Sequence, residues 1–309
     1  MYIMKLNPVF KDYIWGGTKL KTKYNKLSDL DTIAESWELS CHPNGKSTIA
    51  NGMLAGKTID AVINDNITDI LGYKCKNMTG FPLLIKLIDA QTNLSIQVHP
   101  DDLFAYNHEN DTGKAEVWIV LDCDEGAYIY YGLNRKLSRD ELLESAQNGT
   151  ILNMLNKVYV KKGDVFYIKP GTIHAICSGI IIAEIQQNSD LTYRLYDYDR
   201  LDNEGKPRPL HLDNGIKCAD LEPIAAHKPP GGYLVSNEYF SVKGLSITGY
   251  EIFYTGDDCF QALLITEGKG CIQHKDEQVE FLKGDCFFIP ANMGEYTIHG
   301  NCQLLMSGV

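Results

Sequence analysis

The sequence has no apolar run approaching the roughly 20 residues that a helix needs to cross a bilayer. Its first ten residues, MYIMKLNPVF, lack the apolar stretch of a signal peptide. No C-x-x-C pair occurs, and the nine cysteines are odd in number and far apart. A disulfide framework and a Cys-type zinc site are both disfavoured, and reduced thiols in a soluble cytoplasmic protein are expected. There is no long basic run: Lys plus Arg is 29 against 40 for Asp plus Glu, a formal charge of −11. Such a chain is a poor binder of nucleic acid or of an anionic membrane. An anionic small molecule remains within reach of a few Lys or Arg residues in a local pocket. Helix signals are also scarce.

What is present is ordinary globular material, 44% hydrophobic and 22% charged over 309 residues. That composition excludes a disordered or fibrous chain, and the length suits two compact units or one large one. Short β-rich runs dominate: Val117–Leu121, Tyr128–Tyr131, Val158–Val160, Val165–Ile168, Ile180–Ile185, Leu263–Thr266 and Cys286–Ile289. Bounded by Gly, Asp and Pro, they point to a sandwich or barrel and not to βαβ units. The clearest helix signal is the capping box Ser138-Arg-Asp-Glu141, which predicts a helical insertion near 138–156. A second helical stretch is expected over Thr58–Leu71. The two prolines and two glycines of Ala225–Gly232 suggest a linker and a boundary near 230.

One internal echo stands out. Lys162-Gly-Asp-Val-Phe-Tyr-Ile168 recurs as Lys283-Gly-Asp-Cys-Phe-Phe-Ile289, identical at five of seven positions. Gly-Asp makes a turn and the alternating apolar residues make a strand. Any hairpin can begin this way, but the second copy falls beyond the linker, which favours a duplicated barrel. The copies then diverge: Pro170-Gly-Thr-Ile-His174 offers an imidazole where Pro290-Ala-Asn-Met-Gly294 has glycine. Any metal is expected in the first unit only.

In Leu94-Ser-Ile-Gln-Val-His-Pro-Asp-Asp102, Ser95, Gln97 and His99 share one strand face, with Ile96 and Val98 on the other. Taken alone this reads as an edge strand with a solvated polar face. Glu116 leads into the apolar run Val117–Leu121, and alone reads as a strand-start carboxylate in water. His174 follows a Pro-Gly turn and alone reads as a turn residue. Together, one amide, two imidazoles and a carboxylate on separate strands match a divalent-metal site with N and O ligands. Two His and one carboxylate leave positions open for substrate, as a catalytic site does.

The pattern G-D-x-x-x-x-x-P-G-x-x-H, with an upstream x-H and a Glu between, resembles the cupin superfamily. The fuller set resembles the type I mannose-6-phosphate isomerases in their short bacterial form. The segments that carry it are Ile14-Trp-Gly-Gly17, Ala34-Glu-Ser-Trp-Glu-Leu-Ser40, Phe81-Pro-Leu-Leu-Ile-Lys86, Leu94–Asp102, Gly113-Lys-Ala-Glu116, Pro170–His174 and Glu184–Asp197. They run from the N-terminus to about residue 210. One departure is Ala115, where longer members place a proline before the Glu.

The resemblance implies a mainly β fold of two cupin-type jelly-roll barrels, a bicupin. Residues 1–228 would form the metal-binding catalytic domain with the helical insertion, and 229–309 a cupin-like barrel without ligands. It implies one Zn2+ per chain held by Gln97, His99, Glu116 and His174. It makes Arg194 and Lys114 the catalytic side chains, and Lys86 and Ser95 substrate-side groups. The implied reaction interconverts mannose 6-phosphate and fructose 6-phosphate by moving one proton between C1 and C2 through an enediol. Lys114 and a metal-bound water are both candidates for the base, and the sequence leaves that choice open, as it does the group that holds the phosphate.

Plainer readings stand beside these. Lys86, in Leu83-Leu-Ile-Lys-Leu-Ile88, could point outward from an alternating strand. Arg194 could merely pair with Asp197 or Asp199. Trp15, Trp37 and Trp118 read as core. His42, His108, His211, His227, His274 and His299 show no ligand pairing and read as structural or solvated. Two His and a carboxylate also suit Fe(II), so a non-haem iron cupin oxygenase is one alternative and a non-catalytic sugar-binding cupin another. Nothing sets the oligomeric state.

Overall fold

The computed structural model describes residues 1–202, 204–224 and 233–309. The linker expected over Ala225–Gly232 lies outside the described residues. The chain is mainly β, folded as two antiparallel barrels with a small helical insertion. Among the described residues, no helix is long and apolar enough to cross a membrane.

The first barrel is a pair of facing sheets. Six strands run in the order Val165–Ile168, Glu116–Cys123, Ile180–Gln187, Leu83–Ala90, Glu35–Leu39 and Val9–Lys11. Five run in the order Leu155–Tyr159, Tyr128–Leu133, His174–Ile176, Ile96–Val98 and Tyr193–Tyr196. Side-chain alternation decides what goes between them. Along Glu116–Cys123, Trp118 and Val120 face inward to meet Ile129 and Ile176 of the opposite sheet. Val117, Ile119 and Leu121 face outward and pack with Ala262, Leu264 and Phe288 of the second barrel. The six-stranded sheet is thus covered on both faces, which is why Ile180–Ile185 carries isoleucine at successive positions.

The outer face of the five-stranded sheet is closed by helices. The capping box at Ser138 and Glu141 forms and opens the helix Arg139–Gln147, followed by a short 3-10 turn, Thr150–Met154. Leu142, Ala146 and Ile151 pack on Ile96, Val98 and Leu195. The stretch expected to be one helix over Thr58–Leu71 is two, Ile59–Asp65 and Ile67–Leu71, because Asn66 leaves the helical backbone and caps the second by accepting from the N–H of Asp69. The helices Asp102–Glu109 and Leu212–Cys218 were not anticipated.

The sequence echo is a structural echo. Gly163 N donates to Val120 O at 2.8 Å, and Gly284 N to Ile265 O at 2.8 Å. The carboxylates of Asp164 and Asp285 each accept the backbone N–H three residues back, at 2.9 and 2.7 Å. The strands that follow lead through proline to His174 in one barrel and Gly294 in the other, each the first residue of a strand. The second barrel is an eight-stranded sheet, and two of its strands, Met4–Asn7 and Thr48–Ile49, come from the N-terminal end of the chain. Its interior is filled by apolar side chains such as Phe281, Phe287 and Tyr296.

Candidate active site

Gln97 is the central residue of Ile96–Val98, and His99 follows the strand's end. Because Ile96 and Val98 turn outward under the helices, Gln97 turns inward. His174 pairs directly with Gln97 across the ladder. Glu116 opens its strand in the opposite sheet. The four side chains therefore meet across the barrel. His99 Nε2 lies 3.3 Å from Glu116 Oε1, His174 Nε2 lies 3.9 Å from Glu116 Oε2, and Gln97 Nε2 lies 3.4 Å from His174 Nε2. Among the described residues, His99, Glu116 and His174 are the one group of His, Cys, Asp or Glu side chains placed to hold a metal ion, and all three are buried.

The donor set fits such an ion. His99 Nδ1 sits 2.9 Å from Leu191 O and His174 Nδ1 2.8 Å from Thr172 O. A carbonyl can only accept, so each Nδ1 carries the proton and each Nε2 presents a lone pair to the cluster. Burial first, and then Lys114, push the His99 pKa down; burial and His99 push that of His174 to about 3. Both rings are neutral, as ligands must be. Burial would raise the Glu116 pKa, but the Lys114 ammonium outweighs it and holds the carboxyl well below its usual range. Glu116 Oε1 receives no well-directed hydrogen bond, although Lys114 Nζ is 2.5 Å away: the contact is close but poorly aligned. Tetrahedral ligation with bonds of about 2.0–2.2 Å sets donor atoms about 3.3–3.6 Å apart, near the separations found here.

Above the cluster opens a cleft of about 280 Å3, lined by Ser95, Lys86, Lys114, Glu184, Arg194 and Arg208 among others. Its size suits one small molecule and not a polymer. Lys114 Nζ also lies 3.1 Å from His99 Nε2, so its ammonium faces the same atoms as a cation would. Ser95 Oγ is 3.5 Å from Gln97 Oε1. Arg194 is the ladder neighbour of Gln97.

Two of the plainer expectations do not hold. Lys86 faces inward and is buried, because it shares the inner sheet face with its ladder partner Glu184. Its Nζ is 3.0 Å from Glu184 Oε1 and 3.7 Å from Glu35 Oε2. Burial would lower the Lys86 pKa, but Glu184 and Glu35 outweigh it and hold the ammonium protonated. Asp197 is taken by Arg200 and Arg208, while Arg194 Nη1 donates to Pro209 O at 2.8 Å. The three tryptophans are buried, as expected, and two also orient carboxylates: Trp118 Nε1 donates to Glu184 at 2.9 Å and to Glu116 at 3.2 Å, and Trp37 Nε1 to Glu35 at 2.6 Å.

Residues 3–116 match the family described as phosphomannose isomerase type I, catalytic domain, and residues 232–309 match mannose-6-phosphate isomerase, cupin domain. The putative mannose-6-phosphate isomerase YvyI of Bacillus subtilis is 38% identical, with 98% of each chain covered. The mannose-6-phosphate isomerase ManA of the same organism is 37% identical, covering 97% of this chain and 96% of its own. The chain belongs to the type I phosphomannose isomerases. A crystal structure of the mannose 6-phosphate isomerase from Bacillus subtilis superposes with a TM-score of 0.93 at 37% identity over 100% of both chains. The two barrels are accordingly cupin barrels.

Against the pattern of longer type I isomerases, the departure at Ala115 has a physical counterpart. Its backbone N–H, which proline lacks, donates to Gln187 Oε1 at 2.9 Å. Gln187 Nε2 in turn donates to Asp102 Oδ1, which also accepts from Gly113 N. Gln187 and Asp102 thereby clamp the turn that carries Lys114 and Glu116. Glu184, Glu35 and Arg208 were given no role from sequence. For Glu184 a signal existed: a carboxylate inside the apolar run Ile180–Ile185 must find partners in the interior.

Proposed function

We propose that this protein interconverts mannose 6-phosphate and fructose 6-phosphate, with one Zn2+ per chain held by Gln97, His99, Glu116 and His174. Membership of the family supports the substrate pair. The observation that carries the site assignment is the meeting of two neutral imidazole Nε2 atoms and a carboxylate beside Gln97 and Lys114, which line a cleft that also holds Lys86, Arg194 and Arg208.

The aldose and ketose differ in whether the carbonyl is at C1 or C2, so catalysis has to move one proton between those carbons. When bound, zinc supplies Lewis acidity toward the carbonyl oxygen without redox chemistry of its own. Glu184 is the residue we assign to carry the proton. Burial and the neighbouring charge of Glu116 raise its pKa above the usual carboxylate value, toward the range in which a carboxyl can both take and return a proton. Trp118 and Lys86 fix its orientation. Arg194 stays charged through the cycle and steadies the oxyanion that develops at the enediolate stage. Lys114 adds a second cation beside His99 and Glu116. Lys86 and the Ser95 hydroxyl face the sugar and hold its hydroxyl groups.

The test is a coupled assay for fructose 6-phosphate formed from mannose 6-phosphate, with chelator and with zinc added back. Activity that disappears and returns is the expected result. Turnover unaffected by thorough metal removal overturns the metal assignment. Oxygen consumption with added Fe(II), or sugar binding without solvent exchange of the C2 proton, replaces isomerisation with oxygenation or storage.

A further inference from the structure

The cations of the cleft are not equally available to an anion. Lys86 lies between Glu184 and Glu35, and Lys114 lies against Glu116, so both ammonium charges are offset by carboxylates at 2.5–3.7 Å. The arginines are placed differently. Arg194, Arg200 and Arg208 gather around a single buried carboxylate, Asp197. Three guanidiniums against one carboxylate leave two positive charges over, which matches the −2 charge that a phosphate monoester carries near neutral pH. The next carboxylate along the cleft, Asp190, is engaged with Asn44 and His42.

The three arginines divide their work. Arg200 is spent on structure: its guanidinium donates to the Asp197 carboxylate, to Asp197 O and to Asn93 O. Arg208 donates Nε to Asp197 Oδ2 at 2.7 Å and Nη2 to Asp197 Oδ1. This fork fixes the plane of the guanidinium and leaves Nη1 without a protein partner among the described residues. Among the described residues the Arg194 guanidinium has one hydrogen bond, to Pro209 O next to Arg208, and its Nε is buried with no partner. Burial and the charges of Arg208 and Arg200 push the Arg194 pKa down, against the opposing pull of Asp197. Like charges held together in a half-buried site oppose folding unless an anion joins them.

We propose that Arg208, fixed by Asp197, anchors the substrate's phosphate, with the charge of the neighbouring Arg194 adding to the attraction. The assignment rests on the sugar-phosphate reading above. Guanidinium suits the task because its parallel N–H groups match two phosphate oxygens at once. A purely structural alternative makes the Arg208–Asp197 pair a staple that holds Arg208 and Pro209 against the strand Tyr193–Tyr196. Arg200 already ties that carboxylate to Asn93, and a staple would not alter affinity for a free anion.

The experiment is calorimetric titration with inorganic phosphate and steady-state kinetics with mannose 6-phosphate, on metal-replete wild type, Arg208→Gln and Arg208→Lys. For Arg208→Gln, phosphate affinity falls by about tenfold or more and KM rises to match, while kcat changes by less than about threefold. Arg208→Lys keeps the charge without the fork and gives a smaller loss, so it serves as the readout should the Gln variant fold poorly. Phosphate affinity and KM within about twofold of wild type in a folded variant overturn the anchor, as does a loss confined to kcat. If wild type shows no isomerase activity yet binds phosphate, and Arg208→Gln does not, the isomerase reading falls and the anion anchor stands. If wild type is active and both variants match it, the anchor alone falls.

Discussion

His99 directly follows the strand Ile96–Val98 and Arg194 lies on the strand paired with it, yet their substitution should separate two functions. His99→Ala removes an Nε2 lone pair from the cluster, and both bound metal and activity should be lost; full turnover in a variant lacking the imidazole would refute the ligand assignment. Arg194→Ala touches none of the cluster atoms. It should keep its metal, by elemental analysis, and lose most of kcat, whereas a change in KM alone would make it a binding residue. Lys86 carries a different prediction. Lys86→Met leaves Glu184 and Glu35 buried without their cation, at an expected cost of about 3–5 kcal/mol in denaturant unfolding. Adding Glu184→Gln should recover part of that loss, because the double variant leaves one buried carboxylate without its cation instead of two. Polar side chains at the start or in the middle of short strands made the four candidate ligands legible in the sequence. Their approach to one point was expected from the family resemblance and not from strand alternation, since it depends on which sheet faces which. Arg208 was illegible because its role comes from Asp197, eleven positions earlier, and a loop leaves no periodic trace.

At the scale of elements, the two Lys-Gly-Asp turns offer a matched comparison. Gly163 and Gly284 have φ of 92° and 95°, which any β-carbon opposes. A Cβ at Gly163 would meet open space, but one at Gly284 would lie 2.2 Å from Tyr24 O. Gly163→Ala should therefore cost only the backbone strain, about 1–2 kcal/mol, while Gly284→Ala should cost clearly more because a backbone carbonyl has to move. Equal unfolding free energies for the two variants would contradict this. Turn chemistry and strand alternation made these hairpins readable, and the capping box did the same for the helix Arg139–Gln147. The helix Leu212–Cys218 escaped because it is short, contains Gly215 and has no side-chain cap. The break at Asn66 escaped for a related reason: the apolar spacing of the two helices runs on across it.

For the whole molecule, the decisive contact is the cover that the second barrel places over the six-stranded sheet. Ile85, Leu87, Val117, Ile119 and Ile185 are buried in one cluster with Phe260, Leu264 and Phe288. Expressed alone, residues 1–224 would present that apolar face to water, far beyond a scattering of single exposed residues, and should aggregate or bind a hydrophobic dye. A monodisperse, cooperatively unfolding fragment would show that the first barrel stands without its cover. The sequence repeat made two barrels legible. It held no hint that one sheet of the first would be sealed by the second.

The strand Met4–Asn7 pairs with Cys286–Ile289, so it hydrogen-bonds to a strand synthesised about 280 residues later. At typical bacterial elongation rates of about 5–20 residues per second, that partner emerges roughly 15–60 s later. Until then the nascent chain holds an unpaired β-edge at Met4–Asn7, together with the uncovered apolar face of the six-stranded sheet. Native closure is therefore a post-synthetic event, and the burden of preventing premature association falls on whatever the cell places around the emerging polypeptide.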